Sequence, residues 1–368
     1  MPDTMITVLT SGNSLGAYVP GVRLSQILEQ QGVACSVEVL ETLFPDEVRM
    51  NMVKTKALFH QSFQAALMGH RLAKDIGPVF DPVREYELLQ RWVKEHRTRF
   101  VAITGFWIPV LEKYSCLISD PIDVQFVRLD AVDTPSYLAY QDRYGKYSHQ
   151  WLFQKEDEQY KLHMRLNMLD SPIIAWHERD NRIVVHGGGW GIGTYQQTIQ
   201  PLQAHYKLDL VAYTPYEQSH ARSQDTLYWL EAEWHPWTNP LRSERTTFPP
   251  MSHNRQSTLE QDSSLTIPTI SQAAASSIAI VSKPGGGTLI DSLSGATPLI
   301  YLEPFGEHER HNAACWRALG FALSYEEWRQ SGFDPSILEE LHLNLMEHIN
   351  LIPNYGEDYA CNLKAMQR

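Results

Sequence analysis

Between Ile278 and Phe321 the chain reads strand, glycine turn, helix, strand, acidic turn, helix, an order that few folds accommodate. The apolar run IAIVS (Ile278–Ser282) leads into Gly285, Gly286 and Gly287. Thr288 then opens a helix with Leu289, Ile290 and Leu293 on one side, stopped by Gly295 and Pro298. Backbone amides at such a helix start have no carbonyl partner, and the helix dipole is positive there. The turn therefore suits a phosphate. Glycines needed only for φ > 0 in a tight turn are the plainer account of the same three residues.

The same alternation runs through the rest of the chain. A strand Met5–Thr10 enters the turn SGNSLGAYVPG, and a helix is expected from Val22 to Gln31 with Val22, Leu24, Ile27 and Leu28 at helical spacing. Strand Cys35–Leu40, helices Val48–Ala73 and Pro82–Arg97, and strand Phe100–Thr104 follow. Residues 137–160 are rich in aromatic and polar side chains and show no clear period. A second half restarts at PIIAWHERDNRIVVHGG, with strand Arg182–His186, helix Tyr195–His205 and strand Leu208–Ala212. Trp234–Gln261 reads as a long loop, and Pro335–Ile349 as the last strong helix. Two β-first, α-second halves imply an α/β protein of two doubly wound sheets facing a cleft, with loops at the strand carboxyl ends.

Composition narrows the function classes. With 368 residues and 43% hydrophobic content, two domains each have a core of their own. A formal net charge of −12 and no basic run exclude nucleic acid as the main partner. Cys35, Cys116, Cys315 and Cys361 form no CxxC pair and are expected as reduced core thiols. The chain enters its first strand without a basic-then-apolar leader and has no apolar run of about 18 residues. A soluble cytoplasmic protein without stable membrane insertion is expected.

The order SKPGGGT, an acid three residues later, a G-x-x-P turn, and E-x-x-N-A before a helix ending at Gly320 resembles the donor signature of GT-B glycosyltransferases. It is most similar to the branch with the peptidoglycan N-acetylglucosaminyltransferase and the galactolipid synthases, and is related to the UDP-glycosyltransferases. The likeness covers about forty residues well and the rest loosely. It implies the GT-B fold, two Rossmann-like domains facing a central cleft: residues 1–165 for the acceptor, 172–350 for the nucleotide sugar, and a tail 351–368 crossing back to the first.

The resemblance also implies roles. Gly285, Gly286, Gly287 and Thr288 hold the diphosphate of a UDP-linked sugar, with Lys283 beside them as a further cation or a solvated side chain. Asp291 takes the place of a glutamate that accepts both ribose hydroxyls, one methylene shorter here. His308, Glu309 and Asn312 match the turn that contacts the donor sugar. Gly188 and Gly189, after the first strand of the second half, resemble the other wall of the donor pocket. Trp190 beside them is an apolar wall or a packed interdomain residue.

In the opening turn, Asn13, Ser14, Gly16 and Ala17 fall on the acceptor side, and Phe106 and Trp107 in TGFWIP either line the acceptor site or pack between the domains. Many relatives carry a basic histidine where this chain has Ala17. Replacement bases are sought in His60, Asp120 and Asp130, although single carboxylates at loop ends also serve as caps. The expected activity is metal-independent, inverting glycosyl transfer to a soluble small-molecule or peptide acceptor, with no cofactor beyond the nucleotide sugar. The alternatives are a noncatalytic scaffold or activator of the same fold and, with less in its favour, a UDP-sugar epimerase.

Overall fold

A computed structural model of the chain describes residues 5–69, 74–168, 173–231, 234–237, 246–254 and 269–366. Two parallel sheets dominate it. The first contains β1 (Ile6–Thr10), β2 (Cys35–Val39), β3 (Arg99–Ala102), β4 (Asp123–Arg128) and β5 (Ser148–Trp151), in the order β2-β1-β3-β4-β5. The hairpin β6 (Phe153–Glu156) and β7 (Gln159–Leu162) follows. The second sheet holds β8 (Asp180–Val185), β9 (Lys207–Ala212), β10 (Thr226–Leu230), β11 (Met251–His253), β12 (Ser277–Ser282), β13 (Leu299–Tyr301) and β14 (Ala322–Ser324). Its order is β11-β10-β9-β8-β12-β13-β14, and only β11 runs antiparallel to its neighbour.

Every residue of β1 and of β12 is buried, as expected for strands covered by helices on both faces. Strand order reverses between β1 and β3 in the first sheet and between β8 and β12 in the second. At such a reversal the flanking loops leave in opposite directions and open a crevice at the strand carboxyl ends. The opening turn and the two glycine runs all sit at these points.

Helix boundaries depart from the sequence reading where local chemistry intervenes. The first helix starts at Leu15, not Val22, and contains Pro20. Proline lacks the N–H that would bond the Gly16 carbonyl, and the neighbouring Ala17 carbonyl takes the Thr10 hydroxyl at 2.7 Å instead. The expected helix Val48–Ala73 is two, Asp46–Gln61 and Phe63–Gly69, broken at the extended Ser62; residues 70–73 lie outside the described residues. Within the expected loop 234–261, residues 251–253 form β11, and 238–245 and 255–261 lie outside the described residues. Pro335–Ile349 is followed by one more helix, Tyr355–Met366.

That helix lies on the first one: Lys364 Nζ donates to the Gln31 carbonyl at 2.6 Å. One core cluster runs through both sheets, joining Val8, Leu24 and Ile27 to Leu289, Leu293 and Trp316. Burying each such side chain contributes roughly 1.5–3 kcal/mol. Not every cysteine is a core thiol: Cys315 is buried, but Cys116 and Cys361 are exposed. Among the described residues no helix is long and apolar enough to cross a membrane.

Candidate active site

A cavity of about 760 Å³ lies where the two crevices face each other. Its walls come from the turns after β1, β3 and β4 on one side and after β8 and β12 on the other.

On the second side, β12 ends at Ser282 and the helix Gly286–Gly295 begins after an extended Gly285. The first bond of this helix runs from the Leu289 amide to the Gly285 carbonyl. The amides of Gly286, Gly287 and Thr288 thus have no intrahelical acceptor, and all three residues line the cavity. The helix starts two residues earlier than the sequence suggested, because its N-cap is a glycine and not a hydroxyl side chain. Gly286 is also required sterically: a Cβ there would fall inside the radius of the Leu129 carbonyl oxygen after β4.

Lys283 spans both glycine runs. Its Nζ lies 2.5 Å from Glu309 Oε1, and its Cε would be 3.2 Å from a Cβ at Gly188. It is therefore paired and not solvated. Glu309, 2% exposed, also accepts from the Phe305 amide at 2.6 Å. Burial alone would raise its pKa, but Lys283, His308 and these hydrogen bonds outweigh burial and hold it below the usual carboxylate range. His308 lines the cavity beside it.

Asp291 is one helical turn beyond Thr288 and lines the cavity, but it is not alone. Arg23, from the first helix, pairs with its Oδ1 at 2.6 Å, and Ser271 Oγ donates to the same oxygen at 2.7 Å. Asn312 is fully buried and away from the cavity. Its Oδ1 accepts from the Ala131 amide at 2.8 Å, and its Nδ2 donates to Asp130 Oδ1 at 2.7 Å and the Pro284 carbonyl at 3.0 Å. The expected sugar contact at Asn312 is thus corrected: the side chain is saturated as a clamp between the two sheets' loops.

After β8, Gly188 has φ +73° and gives its amide to His186 Nδ1 at 3.0 Å; Gly188 and Gly189 line the cavity. His186 lines it as well. Burial drives its pKa down to about 4, with Asp291 pulling it up and Lys283 pushing it down, so the ring is neutral at pH 7. Trp190 also lines the cavity, with Nε1 donating to the Asn13 carbonyl at 3.0 Å.

On the first side, Asn13, Ser14, Gly16, Ala17 and Phe106 line the cavity. Trp107 does not; it is fully buried, its Nε1 bonded to the Thr10 carbonyl at 2.9 Å, which corrects its acceptor-side placement. The buried Glu41 shapes the opening turn by accepting from Ser11 Oγ, Gly12 N and Asn13 N. Of the three replacement bases, Asp130 lines the cavity. Asp120 precedes β4 instead of following a strand, so it is exposed at the amino end of the sheet, opposite the cleft. His60 is outside the lining: its Nδ1–H donates to the Gly191 carbonyl at 2.8 Å and its Nε2 lies 3.6 Å from Glu217. Both are corrected as candidate bases.

Sequence reasoning missed Arg23 and Lys56 as cavity residues. An arginine among Val22, Leu24 and Ile27 was a usable signal for Arg23, because a charge on an apolar helix face needs a partner. Nothing in the polar helix around Lys56 marked that lysine.

No family model matches the sequence, and no curated protein matches it. Solved structures do match the fold. MurG of Acinetobacter baumannii aligns over 99% of this chain and 100% of its own at 12% identity and a TM-score of 0.52. The glycosyltransferase VinC in complex with DTDP aligns over 99% and 100% at 10% identity and 0.54. SsfS6, a glycosyltransferase of Streptomyces sp. SF2575 complexed with thymidine diphosphate, aligns over 98% and 99% at 12% identity and 0.53. The chain has the GT-B fold along essentially its full length and resembles GT-B glycosyltransferases.

Proposed function

We propose that this chain transfers a sugar from a nucleoside diphosphate to an acceptor held on the first-sheet side of the cavity. One observation carries the reading: three amides with no acceptor among the described residues, at Gly286–Thr288, begin a helix that faces a cavity at both switch points. Such donors neutralise a departing diphosphate without a metal, which favours metal-independent transfer. In the step proposed, the acceptor attacks the anomeric carbon, the bond to the diphosphate breaks, and the anomeric centre inverts.

Asp291 would accept from the ribose, and His308 and Glu309 would face the sugar. The donor is proposed as UDP-linked, with thymidine diphosphate sugars as the second choice because SsfS6 and VinC were solved with that nucleotide. Met52, Phe59, Phe106 and Tyr137 make the acceptor side largely apolar, which suits a small hydrophobic molecule or an aromatic peptide side chain. We place the acceptor unit at residues 1–165, the donor unit at 172–350 and the returning tail at 351–368.

Isothermal titration of the protein with UDP, TDP and their glucose and N-acetylglucosamine conjugates tests this. Binding of at least one is expected, and Thr288→Glu should abolish it by setting a carboxylate against the phosphates. A variant that binds as the parent does would reject the site. The second reading is a scaffold without turnover, favoured by Ala17 in the opening turn; nucleotide binding with no release of free diphosphate over hours would support it.

A further inference from the structure

The opening turn from Ser11 to Ala17 holds no ionisable side chain, so the proton of the acceptor must go elsewhere. The ionisable groups lining the cavity can be sorted by what already occupies them. Arg23 and Asp291 are paired, as are Lys283 and Glu309. Asp130 accepts from Asn312, and Arg128 pairs with Asp133 at 2.9 Å inside a cage of Tyr137, Tyr144 and Trp151. His186 spends Nδ1 on the Gly188 amide, and its low pKa makes it a weak base. His308 belongs to the donor turn beside Glu309.

Lys56 remains. It projects from the helix Asp46–Gln61 into the cavity, and among the described residues it makes no ion pair. Its Nζ stands 3.5 Å from the centre of the Trp190 ring, 4.9 Å from that of Trp237, and 3.4 Å from the Gly12 carbonyl. The same turn, at Gly16, is where a Cβ on Gly287 of the donor turn would come to 3.3 Å of the Gly16 Cα. The amine therefore lies where the opening turn, at Gly12, meets Trp190 of the glycine run after β8, on the wall of the shared cavity.

We propose that Lys56 is the general base of the transfer proposed above. Its neutral amine takes the proton from the acceptor's O–H or N–H. The freed electron pair forms the bond to the anomeric carbon, and the sugar–diphosphate bond breaks with its electrons leaving on the diphosphate. The products are the glycoside, the nucleoside diphosphate and the Lys56 ammonium.

The surroundings poise the group for this work. Burial lowers its pKa to about 7, while the Glu41 carboxylate under the opening turn pulls it up. The indole faces favour the ammonium, which holds the proton once it arrives. His60, one turn further along the helix, is engaged with Gly191 and leaves Lys56 to the cavity. A base whose pKa lies near the working pH is the most effective.

The inference rests on the glycosyl-transfer reading, and two measurements keep them apart. The first follows release of nucleoside diphosphate from UDP-glucose or TDP-glucose with water as acceptor, from pH 5.5 to 9.5, in the parent, Lys56→Met and Lys56→Arg. The parent rate should rise through an inflection near 7. Both variants should lose that inflection and about a hundredfold in rate, with UDP or TDP affinity kept within about twofold, which also shows that they fold. Variants that keep the inflection, or most of the rate, overturn the proposal. The second measurement titrates ¹³C-methylated lysines by NMR, with Lys56→Arg assigning the signal. Titration near 7 is expected and an ordinary value near ~10 overturns the assignment to Lys56 even where donor turnover is intact. Absence of any nucleotide binding removes the transfer reading, and the proposal with it, whatever the amine does.

Discussion

The guanidinium of Arg23 meets the carboxylate of Asp291 at 2.6 Å, joining the first helix of one sheet to the donor helix of the other. The arginine is 2% exposed and the aspartate 16%, so each charge depends on the other. Arg23 also donates to Ser271 Oγ at 2.8 Å and to Ser294 Oγ at 3.1 Å, which spreads the pair into a network. An ordinary solvated helix acid would show none of this.

Removing one member should therefore cost more than removing both. Arg23→Met leaves a carboxylate with little water and is expected to lower stability by about 3–5 kcal/mol. Adding Asp291→Leu should recover a large part of that loss. Urea denaturation of the single and double variants measures the coupling; additive losses would show that the two residues do not act as a pair.

Lys283→Met tests the second pair and has a defined pH dependence. In the parent, Glu309 has a lowered folded pKa, so its stabilising contribution is present above its unfolded value and lost as pH falls through the folded one. Without Lys283, burial becomes the controlling influence and the folded pKa rises above the unfolded value. The variant should be about 3 kcal/mol less stable at pH 8, and the deficit should shrink on acidification toward pH 5 as Glu309 takes up a proton. Chemical denaturation at the two pH values checks it. A deficit independent of pH contradicts the pairing.

His186 gives a slope of opposite origin. Its folded pKa of about 4 lies below the ordinary 6.5, so the unfolded chain binds the proton first and stability falls as pH drops from 6.5 to 4. The full loss is about 3 kcal/mol at roughly 1.4 kcal/mol per pH unit. His186→Gln should flatten that part of the stability curve relative to the parent. An unchanged slope would place a charged or exposed ring in solution.

Gly286→Ala should separate closure from fold. The new methyl group meets the Leu129 carbonyl oxygen, a backbone atom that cannot rotate away. Nucleotide affinity is expected to fall at least tenfold, while far-ultraviolet circular dichroism stays as in the parent because the clusters around Phe100 in the first sheet and Ile183 in the second lie away from the substitution. Full affinity in the variant would mean that the two sides do not stay this close in the bound state.

Much of the fold could be read from residue order. Apolar runs such as IAIVS and RIVVH end in glycines, and that local pattern marks strand, turn and helix start without knowledge of anything distant. The donor turn was found for the same reason, since helix-start amides are a property of a few consecutive residues. Asn312 and Trp107 were misplaced because their partners, Asp130, Ala131, Pro284 and Thr10, are far away in the chain. Asp120 was misplaced because its own residues do not show that it precedes β4, at the amino end of a parallel sheet.

What the sequence determined by itself is therefore local: two alternating halves, buried parallel strands, and glycine turns at their carboxyl ends. Only the tertiary structure decided which charges are spent and which are available. Arg23 and Asp291 are 268 residues apart, and Lys56 meets Trp190 across both halves of the chain. Backbone preference acts over a few residues and is written in their order. Electrostatic pairing and desolvation act through space, and they take their values only once both sheets have closed on the cavity.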